Sequence, residues 1–335
     1  MNNLLTNQLE KIQTEIQFSG SIFVKQGESV HVQSSFGNAN RADDIPNEKH
    51  TRFGIASGCK LFTAVAIAQL VEAEKLSFDS LLQDVLDVSF PYFHEEITVH
   101  HLLTHTSGIP DYFDEEVMDD FEELWIKTPM YHIRRLHDFL PLFQKEQQKF
   151  IPGEKFYYNN AGYIVLGLIV EKVSGMVFTD YIQQNILDRA GMQNSGYFAL
   201  DALPAKTAIG YIDREDGTWK TNTYSLPVQG GSDGGAFVTA EDMVLFWEAF
   251  MQNNLLNDKA ILLTPHVHEE EESFYGYGVW IEKQENEIHK YHVMGYDPGV
   301  SFHSAYYPCT ELVQAVCSNK SKGAYAMMLE VERSC

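Results

Sequence analysis

Phe53-Gly54-Ile55-Ala56-Ser57-Gly58-Cys59-Lys60-Leu61-Phe62-Thr63-Ala64 is the stretch whose reading decides this chain. It sets a hydroxyl and an amine three residues apart at the head of an apolar run, which the pattern extends as a helix over residues 57–74. At ~100° per residue, Ser57 and Lys60 lie ~300° apart and share a face, with Cys59 roughly opposite. A serine hydroxyl is a poor nucleophile and needs a base within ~2.6–3.2 Å; a neighbouring amine can activate it without a histidine. Taken alone, Ser-x-x-Lys occurs by chance in many helices as an N-cap serine followed by a surface lysine. The surrounding sequence therefore decides its meaning.

Three further landmarks follow in order. Ala73-Glu74-Lys75-Leu76-Ser77-Phe78-Asp79 reads as a helix end and turn, and Leu102-Leu103-Thr104-His105-Thr106-Ser107-Gly108-Ile109 follows it. A third run begins at Pro152-Gly153 and carries Phe156, Tyr158, Asn160, Gly162 and Tyr163. With the opening stretch, this series resembles the serine β-lactamase and penicillin-binding protein superfamily, in particular its class C-like branch of esterases and D-aminopeptidase-like hydrolases. The resemblance runs from about Phe53 to Phe302.

The resemblance implies an α+β fold of the β-lactamase/transpeptidase type, with an antiparallel sheet flanked by helices and a mostly helical domain inserted into it. Residues 1–56 and 207–335 are expected to form the sheet domain, residues 57–206 the helical domain, and the site their interface. The residue pattern agrees with this plan. Residues 4–16 read as an amphipathic helix, and 19–24 and 30–35 as strands around the turn Gln26-Gly27-Glu28. Helices are expected over 80–86, 121–127, 133–140 with a break at Pro141, and 163–174. Another is expected over 240–252 behind Thr239 as N-cap. Strands are expected over 277–282, 289–294, 300–307 and 312–318, then a closing helix over 325–332 that packs on the first.

The 335 residues are 44% hydrophobic, enough for a sizeable core in two closely packed units. Lys and Arg number 24 against 47 Asp and Glu, a net charge of −23 that disfavours nucleic acid and anionic membrane surfaces. The same acidity promotes solubility and makes a neutral or cationic ligand easier to accept. No apolar stretch of ~18 residues occurs and the N-terminus carries no basic and apolar leader pattern, so a cytoplasmic location is expected. Cys59, Cys309, Cys317 and Cys335 show no paired spacing and are expected to be reduced. The run His268-Glu269-Glu270-Glu271-Glu272 reads as a solvated loop.

On the resemblance, Ser57 is the nucleophile, with Lys60 and Tyr158 as the catalytic groups beside it. Lysine and tyrosine both titrate near ~10, so either must be shifted, or the two must act as a pair, to serve near neutrality. Asn160 is expected to orient Lys60, to bind a substrate amide and to cap the following helix. The Ser57 and Tyr296 N–H groups are expected to hold the oxyanion, with Gly295 beside them in the substrate-binding set. His292-Val293-Met294-Gly295-Tyr296-Asp297-Pro298-Gly299 departs from the family's His-x-Gly or Lys-Thr-Gly pattern. Alignment on Gly295 and Pro298-Gly299 puts Val293 in the basic slot and turns His292 to the other face, unless a β-bulge rotates it back.

The pairs His101/His105 and His266/His268 lack a supporting zinc pattern, and no metal or cofactor is expected. Gly230-Gly231-Ser232-Asp233-Gly234-Gly235 lacks the ending of a phosphate loop and reads as a tight loop beside the site. The expected activity is that of a serine hydrolase cleaving an ester or amide through an acyl-enzyme on Ser57. Its substrate is expected to be a small molecule or short peptide, with no nucleic acid, membrane or obligate protein partner. The alternatives are a penicillin-binding protein and a ligand-binding protein of the same fold with little turnover.

Overall fold

A computed structural model describes residues 2–334, except for the side chains of Asn2 and Asn3; Met1 and Cys335, and so the expectation for the Cys335 thiol, lie outside it. The chain enters through helix α1 (Asn2–Glu15) and the hairpin of β1 (Gly20–Gln26) and β2 (Ser29–Phe36). Gly27 turns that hairpin at φ 52°, a left-handed conformation that glycine adopts without strain. The middle of the chain carries α2 (Lys60–Glu72), α3 (Asn160–Ser174) and α4 (Ala240–Met251). Six strands then follow: β3 (Val267–Glu270), β4 (Ser273–Tyr275), β5 (Trp280–Gln284), β6 (Glu287–Asp297), β7 (Val300–Tyr307) and β8 (Leu312–Ser318). Helix α5 (Ala324–Glu332) closes the chain.

All eight strands form one antiparallel sheet in the order β2-β1-β8-β7-β6-β5-β4-β3. The N-terminal hairpin joins the C-terminal meander through β1 and β8, with Gly20 opposite Ser318 and Gln26 opposite Leu312. Alternation of side chains splits the meander between two cores. Ala305 and Val316 face a layer in which Leu5 and Leu9 of α1 meet Met327, Met328 and Val331 of α5. Phe302, Ala315 and Cys317 face the larger core, which holds α2, α3 and α4.

Nearly every residue of α2 from Lys60 to Leu70 is buried, and α3 is buried from Asn160 to Val170, so both are central helices rather than surface ones. No single helix among the described residues is long and apolar enough to cross a membrane; the bent pair Asn160–Ser174 and Phe178–Ala190 reaches that composition because it lies in this core.

Several elements differ from the sequence expectation. Residues 57–59 belong to a 3-10 turn (Ala56–Cys59), and the α-helix begins only at Lys60. Residues 133–140 are not an α-helix, and Pro141 does not end the segment. Leu136–Leu142 is a 3-10 helix that includes the proline, whose fixed φ suits that winding. The acidic run is not a loop alone, because His268, Glu269 and Glu270 lie on β3, an exposed edge strand paired with β4. Helix α3 starts three residues earlier than its apolar pattern suggests, for a reason given below.

Candidate active site

Ser57 stands on a strained turn. The residue before it, Ala56, has φ 44°, a left-handed backbone that costs a side-chain-bearing residue energy. In a 3-10 turn residues three apart eclipse one another, which places Lys60 directly over Ser57, with Nζ donating to Ser57 Oγ at 2.9 Å. Gly58 between them lies on Phe302 of β7, where an added Cβ would come within 2.5 Å of the ring.

Lys60 is 2% exposed. Its ammonium also donates to Asn160 Oδ1 at 2.8 Å and to the Asp233 carbonyl at 2.8 Å, so its three donors have three acceptors. The Asp233 carbonyl is supplied by the glycine-rich loop, which Thr63 of α2 holds by donating to the Ser232 carbonyl at 2.6 Å. Ser232 Oγ in turn donates to the Tyr163 carbonyl at 2.7 Å.

Asn160 is the first residue of α3, and the cap is Asn159, whose Oδ1 accepts the Gly162 N–H at 2.7 Å. This corrects the expectation that Asn160 itself caps the helix. Asp111 adds a second cap, accepting the Asn160 N–H at 2.7 Å and the Ala161 N–H at 2.9 Å. These two caps start the helix three residues before its apolar stripe begins. Burial pushes the Asp111 carboxyl up to about 7, against the pull of those two N–H groups.

The Tyr158 ring is half-buried between His105, with centroids 4.5 Å apart, and Trp280, at 6.4 Å. Lys60 Nζ lies 4.9 Å from the centre of the ring. Burial and the charge of Glu115 hold the Tyr158 hydroxyl well above the ordinary tyrosine range, while its contact with Ser57 pulls the other way. His105 sits at φ 57° and is 1% exposed. Its Nδ1 accepts the Asn159 N–H at 3.0 Å and its Nε2 lies 3.1 Å from Tyr275 Oη. Burial, and then Lys60, push the imidazole well below its ordinary pKa, so it stays neutral. The Thr104–Gly108 signature thus serves to hold the Tyr158 ring and the start of α3.

Strand β6 borders Ser57. It pairs with β5 only as far as His292 opposite Trp280, but with β7 out to Asp297, so residues 293–297 present an unpaired edge toward the Ser57 turn. Gly295 allows the contact, because a Cβ there would lie 2.1 Å from the Ile55 carbonyl and 2.9 Å from the Ser57 nitrogen. The pairing with β7 is continuous from Tyr291 to Asp297 and contains no bulge. Val293 therefore shares the face of Gly295, buried in the large core at 3% exposure, and His292 points to the opposite face. There His292 Nε2 lies 3.0 Å from Glu282 Oε1. Tyr296 is exposed on the same face as His292, and its hydroxyl meets His303 Nε2 at 2.5 Å.

A cavity of about 620 Å³ opens from Ser57, Asn160 and residues 296–300, and neither His292 nor Val293 lines it.

These features bring together Ser57, Lys60, Tyr158, Asn160 and the backbone of Gly295 and Tyr296. Residues 10–331 match the Beta-lactamase family. The chain belongs to that family. Penicillin-binding protein 4* of Bacillus subtilis (strain 168) is 30% identical over 283 residues, covering 79% of this chain and 60% of that protein, so the chain spans less than two thirds of that relative's length. A crystal structure of a penicillin binding protein from Bacillus halodurans is 62% identical, covers 98% of this chain and 100% of its own, and superposes with a TM-score of 0.95. The D-amino acid amidase of Ochrobactrum anthropi SV3 shares the fold, with a TM-score of 0.83 at 18% identity over 100% of this chain and 98% of that one.

Within this family fold, Tyr112 carried no sequence signal of its own. Tyr112 donates a very short hydrogen bond to Asp233 Oδ2, and burial holds both side chains above their ordinary pKa values. Cys59 is buried, and that burial pushes its thiol up to about 11. The four histidines of the two metal-like pairs have local tasks. His101 closes a capping box with Thr98, and His266 stacks on Tyr277 at 3.9 Å. His268 Nε2 reaches the Glu271 carbonyl at 2.8 Å.

Proposed function

We propose that the protein is a serine hydrolase that cleaves an amide or ester through an acyl-enzyme on Ser57. The observation that carries this reading is the set of three acceptors around Lys60 Nζ. A neutral lysine has two N–H groups and one lone pair. With Asn160 Oδ1 and the Asp233 carbonyl taking the two N–H groups, the lone pair is left aimed at Ser57 Oγ, 2.9 Å away. Lys60 in that form accepts the Ser57 proton as Oγ bonds to the substrate carbonyl carbon. The carbonyl electron pair moves to oxygen, where the Ser57 and Tyr296 N–H groups stabilise it.

Tyr158, kept neutral by its surroundings, gives its proton to the leaving nitrogen or oxygen as the carbon–heteroatom bond breaks, and regains one from the Lys60 ammonium. Water then attacks the acyl-enzyme by the same route in reverse, releasing the acid and restoring Ser57.

The size of the cavity supports a small molecule or short peptide as substrate. The net charge of −23 supports the absence of nucleic-acid and anionic-membrane partners. The thiols of Cys59, Cys309 and Cys317, free among the described residues, support a cytoplasmic location. The division into a sheet unit (1–56 with 207–335) and a helical unit (57–206) belongs to the same proposal, as does the absence of an obligate protein partner. Stopped-flow hydrolysis of p-nitrophenyl esters tests the reading. A burst of one p-nitrophenol per protein that is lost in Ser57→Ala is expected, and a burst unchanged in that variant refutes it.

A further inference from the structure

The walls of the cavity are unbalanced in charge. Glu115, Asp119, Asp120, Asp233 and Asp297 line it, and among the described residues no lysine, arginine or histidine does. Lys60 stands behind Ser57 with its donors committed. Four of the five acids have a plain explanation. Asp233 takes the Tyr112 hydroxyl, Glu115 accepts from Asn160 Nδ2 at 3.5 Å, Asp120 caps the turn Phe121–Glu123, and Asp119 is exposed to water.

Asp297 is different. It ends β6 half-buried, and among the described residues no hydrogen bond or ion pair reaches its carboxylate. Side chains alternate along a strand, so Asp297 shares the face of Gly295, roughly 7 Å further along from the residue that touches Ser57. A half-buried carboxylate on the cavity wall with no partner in the protein is free to take one from a bound molecule.

We propose that Asp297 sets the specificity of this cavity and that it takes a protonated amine, so that the substrate is an amide or ester carrying an ammonium group near its reacting carbonyl. This rests on the reading of the cavity as the acyl-enzyme site. An ammonium placed there meets Asp297 directly and relieves its repulsion with Asp233 and Glu115, the acids that act on it. A carboxylate in the same place would meet like charge and no cation. Phe121, Phe198 and Phe237 on the cavity wall give the remainder of the substrate apolar surface. Burial, then Asp233 and Glu115, push the Asp297 carboxyl up to about 8 against the pull of Lys60. At neutral pH Asp297 is therefore protonated, and a bound ammonium drives that proton off.

The test compares the full chain with Asp297→Asn on phenylalanine p-nitroanilide and its N-acetyl derivative, and titrates both proteins with the unreactive amine 2-phenylethylamine in a calorimeter. Expected are a preference of wild type for the free amine of about tenfold or more in kcat/KM, equivalent to ~1.4 kcal/mol, and the collapse of that ratio in the variant, mainly through KM. The amine should bind wild type with release of a proton, read from the buffer dependence of the heat, and should bind the variant at least about tenfold more weakly, again ~1.4 kcal/mol. Equal use of the two anilides by wild type, or a ratio unaltered in Asp297→Asn, overturns the inference while leaving the acyl-enzyme intact. If neither anilide nor any ester is turned over, the acyl-enzyme reading fails and the calorimetry alone decides. Amine binding that depends on Asp297 then supports the cation site, and no binding, or equal binding to the two proteins, refutes it.

Discussion

Gly295 lies so close to Ser57 that a Cβ on the glycine would come 2.9 Å from the Ser57 nitrogen. The two backbones, one on the last stretch of β6 and one on a strained 3-10 turn, are held at a separation that only glycine permits. Gly295→Ala must push them apart. Overpacking of this kind costs about 1–3 kcal/mol, and losing one oxyanion donor costs about 3 kcal/mol of barrier. Both a lower melting temperature and a fall in kcat of about a hundredfold or more are expected. Calorimetry and ester kinetics on the same preparation check them, and a normal kcat in a destabilised variant would separate the strand edge from the oxyanion.

Asn160 and Lys60 should behave as one unit. Asn160→Ala removes an acceptor that fixes the Lys60 amine, and Lys60→Ala removes the base itself. Groups acting together are non-additive, so the double variant should acylate little more slowly than Lys60→Ala alone. Single-turnover rates for the three variants test this, and multiplicative losses would show that Asn160 acts elsewhere.

His292 should matter for stability and little for chemistry. It lies on the face away from Ser57, paired with Glu282, whose carboxyl is held at about 2: burial opposes that depression, and the His292 contact and then Lys290 outweigh it. A depressed carboxylate stabilises the fold above its unfolded value of about 4.5 and loses that contribution as pH falls toward 2. His292→Ala should therefore move acid unfolding to higher pH. It should change ester hydrolysis by less than about tenfold, or ~1.4 kcal/mol of barrier. Melting curves from acid to neutral pH, with kinetics at neutral pH, check both parts, and loss of activity would contradict the register of β6.

Asp297 has the opposite sign. Its carboxyl is raised, so the folded protein holds a proton that the unfolded chain releases, and stability falls as pH rises from about 4 to about 8. Asp297→Asn should remove that part of the slope, melting progressively higher than wild type as pH rises through this window. A constant difference between the two proteins across the range would show that the carboxyl is not raised.

The parts of the fold that could be read from the sequence are those whose pattern is local. The strands at 300–307 and 312–318 alternate between two cores and lie where that alternation puts them. The register of β6 followed from Gly295 with the Pro298-Gly299 turn, and the placing of His292 on the opposite face from Val293 came with it. Less legible were elements set by distant partners. Helix α3 begins at Asn160, where the local cap Asn159 is joined by Asp111, about fifty residues earlier, which accepts the Asn160 and Ala161 N–H groups. The winding of residues 56–59 depends on the strand packed beside them. Glu115, Asp233 and Asp297 stand far apart in the sequence in no recognisable spacing, and only the folded chain brings them to one cavity.

The central claim is a covalent bond to one oxygen, and intact-mass measurement reads it most directly. Wild type and Ser57→Ala are mixed briefly with an activated ester, quenched in acid and weighed. One acyl group on wild type, mapped by fragmentation to the peptide containing Ser57, and none on Ser57→Ala, is the predicted result. Hydrolysis by wild type without any adduct under conditions where deacylation is stopped, or an equal adduct on Ser57→Ala, would contradict the account.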